Sequence, residues 1–314
     1  MTQMGPVTDA LEVTGLVTYP VKSCAGVKLS QTRVTPRGLE LDRDFMLVAD
    51  DGHFMSQRRV PEMALIVPAI AEHAITLSAP GMEPIEIPLE LERDDASVVM
   101  ASVHEKPVAG QLVGAELDEW FNTFLPPYKD NRRFRLLRVR EDLPRYVGDR
   151  YRRARATNTL GFADGAAMLL ACEPSLADLN AELDGEPVPM NRFRPNIVVD
   201  GESLAAYDED HWTELRIGPM HAFVVKPSDR CVIPDVDQQT AATGKAVRRA
   251  LLSRRGANAY DESNTGVFFA QNLSHVHKPG LTVRVGDAVR VLARRSESNV
   301  VLGSAARARV RQTA

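Results

Sequence analysis

Short apolar runs alternate with polar breaks through the first third of the chain. The runs are too short for a helical repeat and are separated by Pro and Gly, which is typical of strands joined by turns. Gly52 lies in the segment Asp50-Asp51-Gly52-His53, where a hairpin turn needs a positive φ. Many short strands in series predict a barrel or a sandwich. The predicted strands are Val13–Tyr19, Val27–Val34, Phe45–Ala49, Leu65–Ile70, Ile75–Ser78, Ile85–Leu89 and Ser97–Ser102.

Helical periodicity occurs at two places. Leu117, Trp120, Phe121 and Phe124 recur at spacings of three and four, which predicts a helix over 115–125 that ends before Pro126-Pro127. A second helix is predicted over 176–183, with Ser175 as its N-cap. Strands are predicted at Phe134–Val139, Asn196–Val199, Thr213–Ile217, His221–Val225, Leu281–Val285 and Ala288–Leu292.

The pattern as a whole predicts a mainly β protein with peripheral helices, of the α+β class. We place a boundary loosely near residue 130, which gives an N-terminal β-barrel-like domain over 12–130 and a second domain over 131–295. The segment 296–314 is polar, small and basic, and is predicted to be a flexible tail.

Composition narrows the function classes. With 44% hydrophobic and 25% charged residues, the 314-residue chain is an ordinary globular protein, and a net charge of −4 argues against general nucleic-acid binding. The three cysteines form no C-x-x-C pair and no disulfide framework, which favours a reducing compartment. No signal peptide and no run of 18 apolar residues is found, so we expect a cytoplasmic location without membrane contact.

Cys231 is the leading candidate for chemistry. It ends the segment Lys226-Pro227-Ser228-Asp229-Arg230-Cys231, directly after an apolar stretch. The neighbouring arginine favours the thiolate, which is the form that attacks electrophiles and binds soft metals. A buried structural cysteine is the alternative interpretation. Cys172 follows the apolar run 168–171 and is predicted to pack in the core.

Two other segments combine turn residues with cations. Lys22 and Ser23 follow Pro20, and an ammonium with a hydroxyl suits a phosphate. Arg194 and Asn196 flank Pro195, and they offer a planar set of donors beside a group that both donates and accepts. An exposed loop lysine and an arginine that binds loop carbonyls are the alternatives, which the chemistry alone leaves open.

These segments carry a family resemblance. The chain resembles MOSC-domain proteins with the family's N-terminal β-barrel, and among them the molybdenum enzymes typified by the mitochondrial amidoxime-reducing component and its bacterial relatives. The matching residues occur in family order over about 12–292. They are Tyr19 to Ser23, Arg37-Gly38-Leu39 with Asp42-Arg43-Asp44-Phe45, Ser56-Gln57-Arg58, Ser175 to Asn180, Phe193 to Asn196, Arg230-Cys231 and Val285-Gly286-Asp287.

The resemblance implies a C-terminal MOSC β-barrel and a molybdenum–molybdopterin cofactor in the cleft between the two domains. Cys231 would be the catalytic residue and the one protein ligand of the metal, because Cys24 is too close to the phosphate end. The Arg230 N–H would act as a donor near the sulfur. The implied cofactor-binding residues are Lys22, Ser23, Arg58 (with Arg59 as its rival), Gly165, Ala166, Arg194, Asn196, Asp229, Arg230 and Cys231.

The implied function is reduction of N-hydroxylated small molecules, with electrons from a separate reductase, ferredoxin or cytochrome. A sulfur carrier that holds a persulfide on Cys231, or a protein that only binds or transfers the cofactor, is the alternative. Gly165 and Ala166 stand where the family often has hydroxyl residues, so only their backbone N–H groups are available. The ten arginines of residues 132–155 are predicted to form a solvated surface or a docking face for an acidic redox partner.

Overall fold

The computed structural model describes residues 11–128, 132–257 and 266–300. Strands dominate this part of the chain. Its three α-helices are α1 (Ala115–Phe124), α2 (Glu173–Asn180) and α3 (Ala246–Arg255). Its strands are β1 (Leu11–Thr18), β2 (Val27–Leu29), β3 (Gln31–Thr35), β4 (Gly38–Leu39), β5 (Phe45–Ala49), β6 (Val67–Ile70), β7 (Ala74–Ser78), β8 (Ile85–Pro88), β9 (Val98–Val103), β10 (Lys106–Leu112), β11 (Phe134–Val139), β12 (Arg145–Tyr146), β13 (Thr159–Leu160), β14 (Met168–Cys172), β15 (Ile197–Asp200), β16 (Trp212–Ile217), β17 (Met220–Asp229), β18 (Gly256–Ala257), β19 (Gly266–Val276), β20 (Thr282–Arg284) and β21 (Ala288–Arg294).

Seven strands form a closed barrel in the order β14-β15-β1-β21-β16-β17-β19, and β19 pairs with β14 to complete it. All neighbours are antiparallel except β14 and β15. Alternate side chains point inward, so that Val13, Leu16, Leu170, Leu215 and Leu273 pack in one core. The predicted mainly β fold with a C-terminal barrel is confirmed.

Strand β14 is buried on both faces, which explains where two helices lie. Leu170 and Cys172 face the barrel core, whereas Leu169 and Ala171 face outward. Helices α2 and α3 cover that outer face through Leu176 and other apolar side chains. These are the peripheral helices that the sequence predicted, although α3 itself was not predicted.

Seven further strands form a second unit around two antiparallel sheets, β5-β11-β10-β9 and β6-β7-β8. Helix α1 lies against this unit with Trp120 and Phe121 in the same core as Phe45 and Leu47. Strand β5 is buried on both faces, because Met46 and Val48 face a second apolar cluster on the side opposite Phe45 and Leu47. The unit holds the N-terminal part of the cavity described below.

The pairing of strands does not divide the chain at residue 130. Strand β1 belongs to the barrel, where Glu12 pairs with Asp200 and Leu11 with Val289. Strand β11 belongs to the N-terminal unit, since it pairs with β5 and β10. The boundaries that we placed at 12–130 and 131–295 therefore differ from the units that the sheets define.

Two local predictions were wrong. Helix α2 begins at Glu173 with a proline in its first turn, and the Ser175 hydroxyl donates to the Glu209 carboxylate at 2.8 Å, so this side chain does not cap the helix. The tail predicted from residue 296 is ordered as far as residue 300, because Asn299 exchanges side-chain hydrogen bonds with Gln271 and its N–H donates to the Asp210 carbonyl at 3.0 Å. Residues 301–314 lie outside the described part.

Within the described ranges, the helices are too short and too polar to cross a membrane.

Candidate functional site

A cavity of about 760 Å³ opens where the loops before β14 and β15 and the end of β17 meet the N-terminal unit. All ten residues proposed from the sequence as cofactor ligands line it. The structure therefore brings them together, while their role in binding stays a prediction. They are Lys22, Ser23, Arg58, Gly165, Ala166, Arg194, Asn196, Asp229, Arg230 and Cys231.

The cavity wall carries a large excess of positive charge. Nine lysines and arginines line it against two carboxylates, Asp164 and Asp229, although the whole chain has a net charge of −4. Such a concentration of one sign in a concave site attracts anions. The nine cations are Lys22, Arg43, Arg58, Lys106, Arg150, Arg194, Lys226, Arg230 and Arg248.

Lys22 lies in a loop that β5 holds in place. Its N–H donates to the Phe45 carbonyl at 2.8 Å, and its ammonium donates to the Phe162 carbonyl at 2.8 Å and pairs with Asp164. Burial lowers the pKa of Lys22, and the Asp164 carboxylate opposes that shift. Lys22 is therefore a buried, paired cation, and the alternative of an exposed loop lysine does not apply. The hydroxyl of Ser23 makes no hydrogen bond within the described residues and is free for a ligand.

Arg194 is buried without a hydrogen-bonding partner. Its guanidinium carbon lies 4.2 Å from the centroid of the Tyr19 ring, and Nη2 has no acceptor in the described structure. Burial lowers the pKa of Arg194 to about 10. A buried cation with unused donors is costly unless an anion satisfies it, so this side chain is prepared for a negatively charged group.

Arg43 lies on the same ring but is fully engaged. Its guanidinium carbon is 4.5 Å from the Tyr19 centroid, and its Nη1 donates to Asp42 at 2.5 Å and to Asn196 at 3.1 Å. Its Nη2 donates to the Arg194 carbonyl at 3.3 Å. Arg43 thus positions the loop that carries Arg194.

Asn196 is mainly a structural residue. Its side-chain oxygen accepts from Arg43 and from the Leu169 N–H at 3.0 Å, and its amide nitrogen donates to the Val17 carbonyl at 3.1 Å. The side-chain oxygen, which the sequence analysis offered as an acceptor for a ligand, is therefore occupied by the protein. The contribution of Asn196 to the site is to join β1, β14 and β15.

Four loop and turn residues of the cavity have positive φ angles: 71° at Ser23, 52° at Arg43, 50° at His104 and 57° at Arg194. None of them is glycine, so each conformation carries a local cost that the surrounding contacts must offset. Strained residues of this kind cluster at functional sites, which supports this cavity as the working site.

Cys231 follows the end of β17 and is the most accessible of the three cysteines, since Cys24 and Cys172 are buried. Burial raises the pKa of Cys24 to about 12 and raises that of Cys172 well above its usual value. Both buried thiols are thus held in the neutral form. Of the three cysteines, only Cys231 lines the cavity.

Arg230 supports the Cys231 loop through its side chain. Its Nη1 donates to the Ser228 hydroxyl at 2.9 Å and its Nη2 to the Phe193 carbonyl at 2.8 Å, whereas the buried Nε has no partner in the described structure. Its backbone N–H donates to the Val267 carbonyl at 2.8 Å, so the prediction that this N–H serves the sulfur was wrong.

Of the two neighbouring arginines Arg58 and Arg59, only Arg58 faces the cavity. Arg58 lines it, with its guanidinium carbon 5.4 Å from the centroid of the Phe54 ring. Arg59 points away from it and lies 5.5 Å from the Tyr128 ring. Arg58 is therefore the residue that can reach a ligand.

The turn at 164–166 presents backbone donors. Neither Gly165 nor Ala166 donates its N–H to an acceptor within the described residues, which agrees with the expectation that only these groups could serve. A Cβ at Gly165 would lie 3.0 Å from the Lys226 ammonium. Lys226, Asp164 and Arg43 were not among the predicted ligands, although Asp42-Arg43 and Lys226-Pro227 stood in segments that the sequence had singled out.

The basic run of residues 132–155 does not form one surface. Arg132 and Arg133 pair with carboxylates, and Arg140 binds Asp142 and a second aspartate. Arg145 is buried and donates to three loop carbonyls that include that of Asp164. Of the ten arginines, only Arg150 lines the cavity.

Comparisons with known proteins cover most of the chain. Residues 10–127 match the MOSC N-terminal beta barrel domain and residues 157–290 match the MOSC domain. Mitochondrial amidoxime reducing component 2 of Rattus norvegicus is 31% identical over 285 residues, which are 86% of this chain and 80% of that protein. Mitochondrial amidoxime-reducing component 1 of Homo sapiens is 29% identical over 87% of this chain and 81% of that protein. Molybdenum cofactor sulfurase of Bos taurus is 30% identical over 77% of this chain but only 29% of that protein.

Proposed function

The chain belongs to the family of MOSC-domain proteins that includes the mitochondrial amidoxime-reducing components, and from this premise we propose that it is a molybdenum-cofactor oxidoreductase that reduces N-hydroxylated small molecules. The observation that carries the proposal is the buried guanidinium of Arg194, which lacks an acceptor in a cavity lined by nine cations and an accessible cysteine. These features suit an anionic ligand that also carries a thiophilic metal.

The residues present fit the cofactor. The Ser23 hydroxyl, the N–H groups of Gly165 and Ala166, and the guanidinium of Arg194 would bind its phosphate and pterin. Cys231 would be the protein ligand of the metal, since no group of three or more His, Cys, Asp or Glu side chains within the described ranges could hold a metal ion. When bound, the cofactor supplies a metal centre that accepts the substrate oxygen and passes on an electron pair.

The protein's own residues would hold the cofactor and fix the loops that surround it. Arg43 and Asn196 fix the loop of Arg194, and Lys22 with Asp164 fixes the floor of the cavity. In the overall reaction the N–O bond breaks, the oxygen leaves as water after taking up protons, and the electron pair comes from a separate redox protein of reductase, ferredoxin or cytochrome type. The proposal places the protein in the cytoplasm, where a reduced cysteine such as Cys231 persists.

The test is to purify the protein from a host that synthesises the cofactor and to measure metal, pterin and turnover. We expect about one molybdenum atom per chain, a matching amount of pterin, and reduction of benzamidoxime with a chemical reductant. Absence of both molybdenum and pterin from the correctly folded protein would refute the proposal.

The similarity to a molybdenum cofactor sulfurase favours one second candidate, a sulfur carrier. The Cys231 thiolate would take a sulfur atom from a persulfide on another protein, whose own thiolate leaves. Mass spectrometry separates the two candidates. A labile adduct of about 32 daltons on Cys231, without bound pterin, indicates the carrier.

A further inference from the structure

A cluster of cations surrounds Tyr151 at the opening of the cavity. The guanidinium carbon of Arg150 lies 4.5 Å from the centroid of the tyrosine ring, and the ammonium of Lys226 lies 4.8 Å from it. Lys106 extends from β10 toward the same place, where a Cβ on Gly148 would be 3.4 Å from its ammonium. We call Lys106, Arg150, Tyr151 and Lys226 the Tyr151 cluster. Its members come from different parts of the fold, so the tertiary structure holds them together.

The cations of the Tyr151 cluster have no counterion of their own. Within the described residues, no carboxylate or carbonyl accepts a hydrogen bond from the side chains of Lys106, Arg150 or Lys226. The nearby Asp164 is already paired with the Lys22 ammonium, and Asp229 is exposed to solvent. Burial and the charges of Arg150 and Lys106 lower the pKa of Lys226, while Asp164 and Asp229 oppose that shift. Like charges held this close repel one another until an anion joins them.

Gly165 leaves room for the Lys226 ammonium beside the Tyr151 cluster. A Cβ at this position would lie 3.0 Å from the ammonium and 3.5 Å from Cε, so a side chain here would crowd the end of Lys226. The proposed cofactor would use the N–H groups of Gly165 and Ala166, so the donors of the second subsite are the side chains of Lys106, Arg150 and Lys226. Ammonium and guanidinium donors suit a carboxylate or a phosphate.

We propose that the Tyr151 cluster is a second oxyanion subsite, which binds a carboxylate or phosphate group on the substrate and makes anionic N-hydroxylated compounds the preferred class. Lys106 and Arg150 are exposed and line the same cavity as Cys231, so a diffusing ligand can reach them. The assignment of the anion to a substrate rests on the proposed function, whereas the oxyanion site itself does not.

The experiment compares benzamidoxime with its 4-carboxylate derivative, which share one framework and differ in charge. Calorimetry on the oxidised protein gives the affinity for each probe without turnover. We expect wild type to bind the carboxylate at least about tenfold more tightly, and Lys226→Gln and Arg150→Gln each to reduce that ratio about tenfold, the effect of losing one charge-assisted contact. Arg152→Gln is the matched control, because this arginine lies over Tyr146 and pairs with Asp149 outside the cavity.

The kinetic arm measures the ratio of kcat/KM for the same two probes in the molybdenum-loaded protein, which should change in parallel. Equal affinity of wild type for both probes overturns the proposal. So does an equal loss for both probes in the variants, which would indicate a purely structural role. A fall in bound pterin in Lys226→Gln with an unchanged probe ratio also overturns it, because the subsite would then serve the cofactor phosphate. If the protein lacks molybdenum but the calorimetric ratio holds, the proposed reaction fails and the oxyanion subsite stands.

Discussion

Replacing Arg194 by methionine should weaken cofactor binding without weakening the empty protein. The guanidinium makes no hydrogen bond to the described residues and carries the cost of burial, so its removal leaves no partner unsatisfied. Methionine keeps an unbranched side chain on the Tyr19 ring, which limits the loss of packing. We expect the unfolding free energy of the cofactor-free protein to change by less than about 1 kcal/mol.

The loss of affinity follows from the contact that Arg194 would make. A charge-assisted hydrogen bond contributes about 1.5–3 kcal/mol, which corresponds to a loss of about 10- to 150-fold in cofactor affinity. Urea unfolding of the cofactor-free protein gives the stability, and pterin and molybdenum retained after dialysis give the occupancy.

Arg43→Met is the matched control, because Arg43 lies on the same tyrosine ring. It pairs with Asp42, whose side chain is only 1% exposed, so this substitution leaves a buried carboxylate unpaired. We expect it to cost about 3–5 kcal/mol in the cofactor-free protein. The reasoning is refuted if Arg194→Met destabilises the cofactor-free protein as much as Arg43→Met, or if it retains cofactor like wild type.

Three further predictions concern the Cys231 thiol, the loss of stability at acidic pH and the packing at Gly38. Cys231→Ala should retain most of the pterin but lose reduction at least about 100-fold, whereas Cys24→Ala should keep both; equal rates at equal molybdenum content would exclude Cys231 as the metal ligand. Burial lowers the pKa of His275 from 6.5 to about 4, so the unfolded chain takes up a proton at this residue at a higher pH than the folded protein does. The free energy of unfolding is therefore unaffected above about pH 6.5 and falls as the pH drops toward 4, by up to about 3 kcal/mol in urea unfolding. His275→Gln should weaken this pH dependence of the free energy of unfolding, and parallel pH profiles for the two proteins would contradict the assignment. Gly38→Ala should cost more than about 2 kcal/mol, because φ is +124° and the new Cβ would lie 2.5 Å from the Ala167 carbonyl; an unchanged unfolding midpoint would count against this packing.

The sequence was sufficient where the signal is local. Period-two alternation and turn residues located most strands, and the spacing of three and four residues between Leu117, Trp120 and Phe124 located α1. Strand β14 lacks alternation because both faces are covered, so only its apolar character was visible. Helix α3 has just a narrow apolar stripe through Val247, Ala250 and Leu251, and no side chain caps its start.

Site residues that belong to a short sequence motif could be predicted. Those that reach the site through contacts between segments far apart in the sequence could not. The motifs and the family resemblance supplied ten of the residues that line the cavity. Asp164 and Lys226 become part of the site only through contacts with Lys22 and Gly165 from other segments. Likewise, the side-chain oxygen of Asn196 accepts a hydrogen bond from Arg43, which is 153 positions away in the chain, so the sequence did not reveal this contact.

The place of β1 in the barrel has a consequence for how the protein is made. This strand is synthesised before the other described strands, yet its partners within the barrel are β15 and β21, which is the last described strand. The strands of the N-terminal unit therefore lie in the chain between strands of one barrel, and a fragment cut near residue 130 would leave both pieces with unpaired edges. The barrel can close only after β21 has been synthesised, and pairing between strands this far apart in sequence is slow. Because Asn196 hydrogen-bonds to β1 and to Arg43, the same late event that seals the barrel also sets Arg194 in place. We therefore expect the proposed anionic cofactor to bind only after the barrel has closed.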